Sequence, residues 1–474
     1  MPLVVGVDSS TSGCKVVVRD AESGAVVAEG RAPHPPTHPP RSEQSPDAWM
    51  QAFTTACARA EVPGVHPPAA IAIGGQQHGL VVVDDDGAPL RPAKLWNDTE
   101  SADDAAALLD ALPGGAGAWA EACGSVPVAS FTVTKLRWLR RTEPECFRRT
   151  TGVLLPHDWL TSRLTGARTS DRGDASGTGY WSPAEGRYRT DLLALVDPQV
   201  DWEPLLPTVL GPTEPAGSWA TTGAVVAPGT GDNMAAALGL GLREDDLALS
   251  FGTSATAFAV SDRPWSDASG AIAGFADATG RFLPLVCTLN ATKVTDAIAR
   301  LLGVDTKGFD ALALAGAPGA GGLVLVPHLD GERTPNRPSA TGALSGLRTD
   351  VTREQVARAA VEGVVCNLLA GAGALLDEAD AAGRLFLVGG GARSAAYRQV
   401  VADLTGRPVI VPDDGELVAT GAAVQAAATL TGTGFAAIAE AWGLGAGDVV
   451  EPDPGADRDA VRAAYAAAAV VAPA

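Results

Sequence analysis

The residues able to do chemistry fall in a few short stretches of small and polar side chains. Asp232 stands in Gly229-Thr230-Gly231-Asp232-Asn233, where small neighbours leave space and an apolar helical stretch, Met234 to Leu240, follows directly. A carboxylate so placed has two readings. It could cap that helix, a position that favours Asp and Asn, or act as a general base toward a hydroxyl, work worth about 10²–10⁴-fold in rate. Asp8 and Lys15 flank Ser9-Ser10-Thr11-Ser12-Gly13, a turn whose backbone N–H groups and hydroxyls could converge on a phosphate. Leu247 to Val260 repeats the plan around Gly252-Thr253-Ser254, without the two charges. Gly389-Gly390-Gly391 follows the apolar run Leu385 to Val388 and would let backbone approach a planar or phosphate-bearing ligand, or simply make a turn. His78, in Gln76-Gln77-His78-Gly79, can exchange hydrogen bonds with a polyol or with its own loop. Trp96-Asn97-Asp98 sets an aromatic face beside two polar groups, as sugar sites and cores both do.

These segments need elements to position them. Apolar run, polar turn and apolar run is the pattern of a β-hairpin. Two such hairpins in two halves imply two related domains, 1–240 and 241–474. Ala70 to Gly75 is a buried strand that delivers Gln76–Gly79 to a loop, and the Ser45-Pro46-Asp47 signal starts a helix running to Ala60. Asp84-Asp85-Asp86-Gly87 is a turn. Strands expected at Val26–Ala32 and Leu323–Pro327 alternate with helices at Ala102–Leu112, Thr134–Thr142, Arg353–Ala379 and Arg458–Ala474. Alternation in both halves predicts an α/β protein with mixed sheets.

Composition narrows the partners. The 474 residues are 46% hydrophobic and 19% charged, enough to build two cores, and the net charge of −20 opposes nucleic acid and anionic membrane. Six scattered cysteines without metal-ligand spacing are expected to be reduced thiols. The start, Met1-Pro2 then Leu3-Val4-Val5, lacks the basic and long apolar regions of a signal peptide. No apolar stretch reaches the length of a membrane span. A soluble, cytoplasmic protein is the expectation.

Taken in order, the motifs resemble the FGGY family of carbohydrate kinases, most closely its xylulokinases. The resemblance rests on Gly6-Val7-Asp8 with Thr11-Ser12 and Lys15, Gln77-His78-Gly79, Leu95 to Asp98, Leu154 to Asp158, Ser170-Asp171 through Thr178 and Gly231-Asp232-Asn233. Gly252-Thr253-Ser254, Gly331 to Pro335, Gly389 to Arg393, and Glu416 with Ala419 to Ala423 extend it to about residue 430. It implies the actin-like ATPase fold, two duplicated ribonuclease-H-like domains with the active site in the cleft between them. It also implies ATP as donor, Mg²⁺ as cofactor, a sugar hydroxyl as acceptor and, from the family alone, a homodimer. By position Asp232 would be the catalytic base, and Asp8 would help hold the Mg²⁺–phosphate assembly. Thr11, Gly252 and Thr253 would face the phosphates, and Gly390, Gly391 and Ala392 the adenosine. Gln77, His78 and Asp232 would contact the sugar, with Trp96 and Asp98 nearby.

Two residues depart from the family pattern. Ser10 stands where a glycine commonly precedes the Thr, and Gln77 where many xylulokinases carry Met before the His. Two rivals follow: a kinase of the same fold for another ketose or polyol (ribulose, a pentitol, glycerol), or a non-catalytic actin-like nucleotide switch. Asp232 and His78 speak against the switch, which has no use for a polar sugar pocket.

Overall fold

A computed structural model describes residues 1–378 and 383–472. Ala379, the expected end of the long helix, and Ala474, the expected end of the last one, lie outside the described residues. The chain forms two compact units, each discontinuous in sequence. The first joins Met1–Leu242, Asp262–Leu283 and Glu416–Leu444; the second joins Arg243–Ser261, Pro284–Gly415 and Gly445–Ala474.

In the first unit, β1 (Leu3–Ser9) and β2 (Gly13–Asp20) form an antiparallel hairpin, and Ser10 N–H donates to the Gly13 carbonyl at 3.1 Å to close its turn. β3 (Val26–Pro33), α1 (Pro46–Arg59) and β4 (Ala70–Gly75) follow. Further along come α2 (Pro156–Thr165), β5 (Gly217–Ser218), β6 (Val225–Val226), β7 (Thr230–Gly231) and α3 (Asp232–Gly239). The strand order is β5-β6-β4-β1-β2-β3, with β7 pairing the end of β4.

The pleat sorts these strands' side chains onto two faces, because successive residues point to opposite sides. Val5, Val7, Val16, Val18, Ile71 and Ile73 join Trp49, Phe53 and Trp159 in one core. Val4, Ala70 and Ala72 face the other way, onto Ala422, Ala423 and Ala426 of the helix Leu417–Thr431. Small residues bring that helix very close. A Cβ on Gly6 would lie 1.8 Å from the Ala419 carbonyl oxygen, and one on Gly421 1.8 Å from that of Ala235 in α3.

The second unit repeats this order. Its strands are β8 (Leu247–Phe251), β9 (Ala255–Ala259), β10 (Phe282–Thr288), β11 (Leu385–Val388), β12 (Val409–Pro412) and β13 (Gly447–Val450). They lie in the order β10-β9-β8-β11-β12-β13, so β8 has an antiparallel and a parallel neighbour as β1 does. The helix expected over Arg353–Ala379 is interrupted: α4 spans Arg353–Gly371, and a separate helix covers Gly373–Glu378. Two glycines around Ala372 weaken the helix there. α5 (Ala395–Thr405) and α6 (Arg458–Val471) complete the elements used below. Among the described residues no single helix is long and apolar enough to cross a membrane.

The backbone contact at Gly421 gives a direct test. Gly421→Ala should cost about 1–3 kcal/mol, since neither backbone can yield freely. Thermal denaturation should show a fall of roughly 2–4 °C for each kcal/mol. Gly415→Ala, whose Cβ would meet nothing within 4 Å, should leave the midpoint nearly unchanged.

Candidate active site

Three parallel strands of the first unit end in register. Asp8 and Ser9 of β1 lie opposite Gly74 and Gly75 of β4, and Thr230 and Gly231 of β7 lie opposite the same two glycines. In open α/β sheets the carboxyl ends of parallel strands are where ligands bind, because loops and helix starts diverge there. The three ends deliver Asp8, the Gln76–His78 loop and Asp232 to one edge. Gly231 keeps the spacing tight, since a Cβ there would come 2.7 Å from Gln77 Cγ.

Asp232 is the first residue of α3, and Gly231 takes the cap position. The capping role considered for Asp232 is therefore corrected. Its Oδ1 instead accepts from the Asn233 backbone N–H at 2.8 Å and from Asn233 Nδ2 at 3.0 Å, leaving the N–H groups further along the turn without it. The same Nδ2 donates to Gln77 Oε1 at 2.7 Å, so Asn233 couples the carboxylate to the Gln76–His78 loop. Burial, then the charges of Asp8 and Asp174, push the Asp232 carboxyl up to about 7. Burial also raises Asp8, to about 6, with Lys15 opposing. Lys15 faces Asp8 directly across the hairpin, at 3.6 Å, and binds Glu416 more closely at 2.8 Å. Asp8 Oδ1 is buried without a hydrogen-bond partner among the described residues.

His78 sits in the left-handed region at φ +64°, with its ring stacked on Phe131 at 5.0 Å and tilted against Phe275 at 5.4 Å. Beside it, Gln76 and Gln77 are buried, and each has an Nε2 without a partner among the described residues. Trp96, partly exposed, donates from Nε1 to Thr11 Oγ1 at 2.9 Å, and that hydroxyl donates onward to Gln76 Oε1 at 3.1 Å. The Thr11 side chain, expected at a phosphate, is thus engaged by Trp96 and Gln76. Asp98 is also corrected. It is fully buried, paired with Lys94 at 3.0 Å, and accepts from the Ser42 N–H at 2.9 Å, so it braces the Trp96 loop from beneath. Glu43, Asp98 and Glu100 have the spacing of a metal cluster, but the Lys94 ammonium lies within 3.3 Å of all three and supplies their countercharge.

In the second unit a cavity of about 530 Å³ is lined by Gly390, Gly391, Arg393, Tyr397, Thr292 and Phe309, among others. This is within the range of small-ligand sites. Gly390 faces open space, while a Cβ on Gly391 would lie 2.7 Å from Phe251 Cβ, so one glycine leaves room and the other permits packing. Ala392, expected beside the ligand, is buried outside the lining, and its carbonyl accepts from Arg398 Nε at 2.5 Å. Gly252 donates to the Ser254 carbonyl at 2.8 Å, and its own carbonyl accepts from Thr292 N–H at 2.9 Å, which commits its amide to the turn. Thr253 is exposed at the tip.

The residues without an assigned role in the sequence reading are Gln76, Asn233 and the buried group His157, Asp158, Asp171 and Asp174. Asn233 adjoins Asp232, and the acids recur around Asp171, but no local spacing says that these side chains meet. Long-range pairing of strand Thr169–Asp171 and α2 brings them together.

Comparison with known proteins defines the class of this site. The models for the N- and C-terminal domains of the FGGY family of carbohydrate kinases match residues 3–239 and 247–430, and the chain belongs to that family. It is 50% identical over 460 residues to a xylulose kinase of Streptomyces coelicolor, covering 95% of this chain and 92% of that one. A solved xylulose kinase from Bifidobacterium adolescentis shares 41% identity with a TM-score of 0.87, covering 99% of both chains. A gluconate kinase from Lactobacillus acidophilus superimposes with a TM-score of 0.91 at 22% identity, covering 98% of this chain and 97% of that one, a likeness of fold alone. As a carbohydrate kinase the protein uses a sugar and ATP as substrates.

The His78 ring depends on a glycine. A Cβ on Gly177 would lie 2.4 Å from both Cε1 and Nδ1 of that ring. Gly177→Ala should displace the imidazole from Phe131 and raise the KM for sugar about tenfold or more, with the KM for ATP little changed. Initial-rate kinetics in each substrate would check this.

Proposed function

We propose that this protein transfers the γ-phosphoryl group of ATP to D-xylulose, giving D-xylulose 5-phosphate and ADP. The observation that carries the chemistry is the placement of Asp232. A carboxylate of raised basicity is held beside Gln77 through Asn233, at the strand edge that also bears Asp8 and His78. Kinship with the Streptomyces enzyme supports the choice of sugar.

In this reading the first unit carries the sugar site and the base, and the second carries the nucleotide. Gln77, His78 and Trp96 orient the ketose, with unpaired amide N–H groups of Gln76 and Gln77 available to its oxygens. The terminal hydroxyl attacks the γ-phosphorus; the new O–P bond forms as the bond to the ADP oxygen breaks, and Asp232 takes the hydroxyl proton. Positioning and charge neutralisation supply most of the catalysis in such a transfer. The adenosine lies in the cavity at Gly390 and Gly391, and Thr253 lies toward the phosphates. Asp8 fits a magnesium ligand, because its buried Oδ1 lacks a partner and hard cations favour carboxylate oxygen. Magnesium bound there would neutralise phosphate charge. In the same reading the protein is cytoplasmic, a homodimer is carried over from the family resemblance alone, and the net charge of −20 opposes nucleic acid and anionic membrane as partners.

ADP release with Mg-ATP should be strongly stimulated by D-xylulose; no stimulation would overturn the sugar assignment. Asp232→Ala should lower kcat by about 10²–10⁴-fold with the circular dichroism spectrum unchanged. Near-normal turnover would remove Asp232 as the base. The sign of the pH effect follows from its basicity. Protonated Asp232 cannot accept the proton, so kcat/KM should fall as pH drops through about 7 and level off above it.

A further inference from the structure

One buried charged group takes no direct part in that transfer. His157, near the start of α2, has no exposed side-chain surface, and three carboxylates face its ring. Asp174 Oδ2 is 3.0 Å from Nδ1, while Asp158 Oδ1 and Asp171 Oδ1 are 3.3 Å and 3.4 Å from Nε2. Nδ1 is hydrogen-bonded to Asp174, whereas Nε2 has no hydrogen-bond partner among the described residues and meets Asp158 and Asp171 through proximity of charge, so the imidazolium is the form that answers carboxylates on both sides of the ring. Burial disfavours the cation, but Asp158, Asp174 and Asp171 outweigh it and hold His157 up to about 9. Main chain pins the ring: a Cβ on Gly75 would come 2.8 Å from His157 Cβ, and one on Gly229 2.6 Å from its Cδ2.

Two of the carboxylates lead on to the site. Asp171 accepts from the Thr230 hydroxyl at 2.7 Å and from the N–H groups of Gly173 and Asp174 at 2.8 Å and 3.0 Å. Thr230 lies in β7, two residues before Asp232. Asp174 interacts with the backbone N–H of His78, the residue held at φ +64°. One cation therefore sits behind both the strand that presents the base and the loop that presents the sugar contact.

We propose that His157 is a positioning residue, a buried imidazolium that holds Asp171 and Asp174 so that the Thr230–Asp232 strand end and the His78 loop keep their productive spacing. The proposal rests on the reading of Asp232 as the base of a sugar kinase. A purely structural ion cluster would lower stability on mutation and leave the folded enzyme's kinetics alone. A positioning cation ties kinetics to charge.

The experiment compares the wild type with His157→Gln, which removes the charge, His157→Lys, which keeps it, and Thr230→Val, which removes only the link to Asp171. Each is measured for Tm and for kcat and KM in D-xylulose and ATP, well below its Tm. His157→Gln should lose about 10²-fold in kcat, the scale of a small misplacement of reacting groups, with KM for ATP unchanged. His157→Lys should restore most of that loss, and Thr230→Val should lower kcat about tenfold at unchanged KM for ATP. Equal kcat in the Gln and Lys variants would overturn the proposal, whatever their Tm. If His157→Gln fails to fold, Thr230→Val decides, and wild-type kinetics in it would overturn the proposal too. Failure of the kinase reading is separable, because it would appear in the wild type as absent sugar-stimulated ADP release.

Discussion

The candidate site depends on one constraint, the in-register ending of three parallel strands at Gly74 and Gly75. β1 and β7 both align on these two residues, so whatever follows each strand emerges at the same height. Both positions must be small. A Cβ on Gly74 would lie 2.9 Å from Val418 Cγ1, and one on Gly75 2.8 Å from His157 Cβ. A register shift of a single residue would reverse the faces of the strand and exchange the Val and Ile core with the alanine-facing side. The register is therefore held by the same packing that builds the core.

That edge collects acids at a cost. Asp8, Asp158, Asp171 and Asp174 are all buried, and burial is the first cause of the raised basicity of each, as it is for Asp232. Buried carboxylates are tolerated when cations and hydrogen bonds meet them. His157 meets three, and Lys15 meets Asp8 while also holding Glu416. Among the described residues Asp232 receives the two N–H groups of Asn233. The least compensated carboxylate is the one whose basicity a proton transfer would use, which is the common pattern for titratable groups at functional sites.

The two units share a strand order but not a chemistry. Aligned on their last hairpin pairs, Asp8 and Lys15 of the first correspond to Ser250 and Thr256 of the second. The turns differ in length as well, since Ser10 to Gly13 close the first hairpin and Gly252 to Ser254 the second, and the charged pair belongs to the first. The choice of sugar is still less a property of the backbone. A gluconate kinase and a xylulose kinase both superimpose closely on the chain, so the backbone fold alone does not separate them.

Much of this was legible in the residues alone. Paired hairpins, the Ala70–Gly75 strand, the Gly389–Gly391 turn and the ordered motifs were local patterns, and backbone geometry at short range follows from local side chains. The residues also named Asp232, Asp8 and His78 as candidates, because functional types clustered among glycines stand out without a fold, and the family resemblance added Gln77. What it left open were relations between distant segments. Asp98 lay beside an aromatic residue and looked available, yet Lys94 and the Ser42 N–H occupy it from below. Asp232 looked able to cap α3, yet Gly231 took that place. His157 stood in a motif of the resemblance but without a role, since its three carboxylates come from its own helix start, a strand and the short helix Arg172–Ala175. Residue types and local spacing determined which groups could react. Tertiary structure decided which of them are already bound to one another, because burial and pairing depend on what long-range packing brings within a few ångströms.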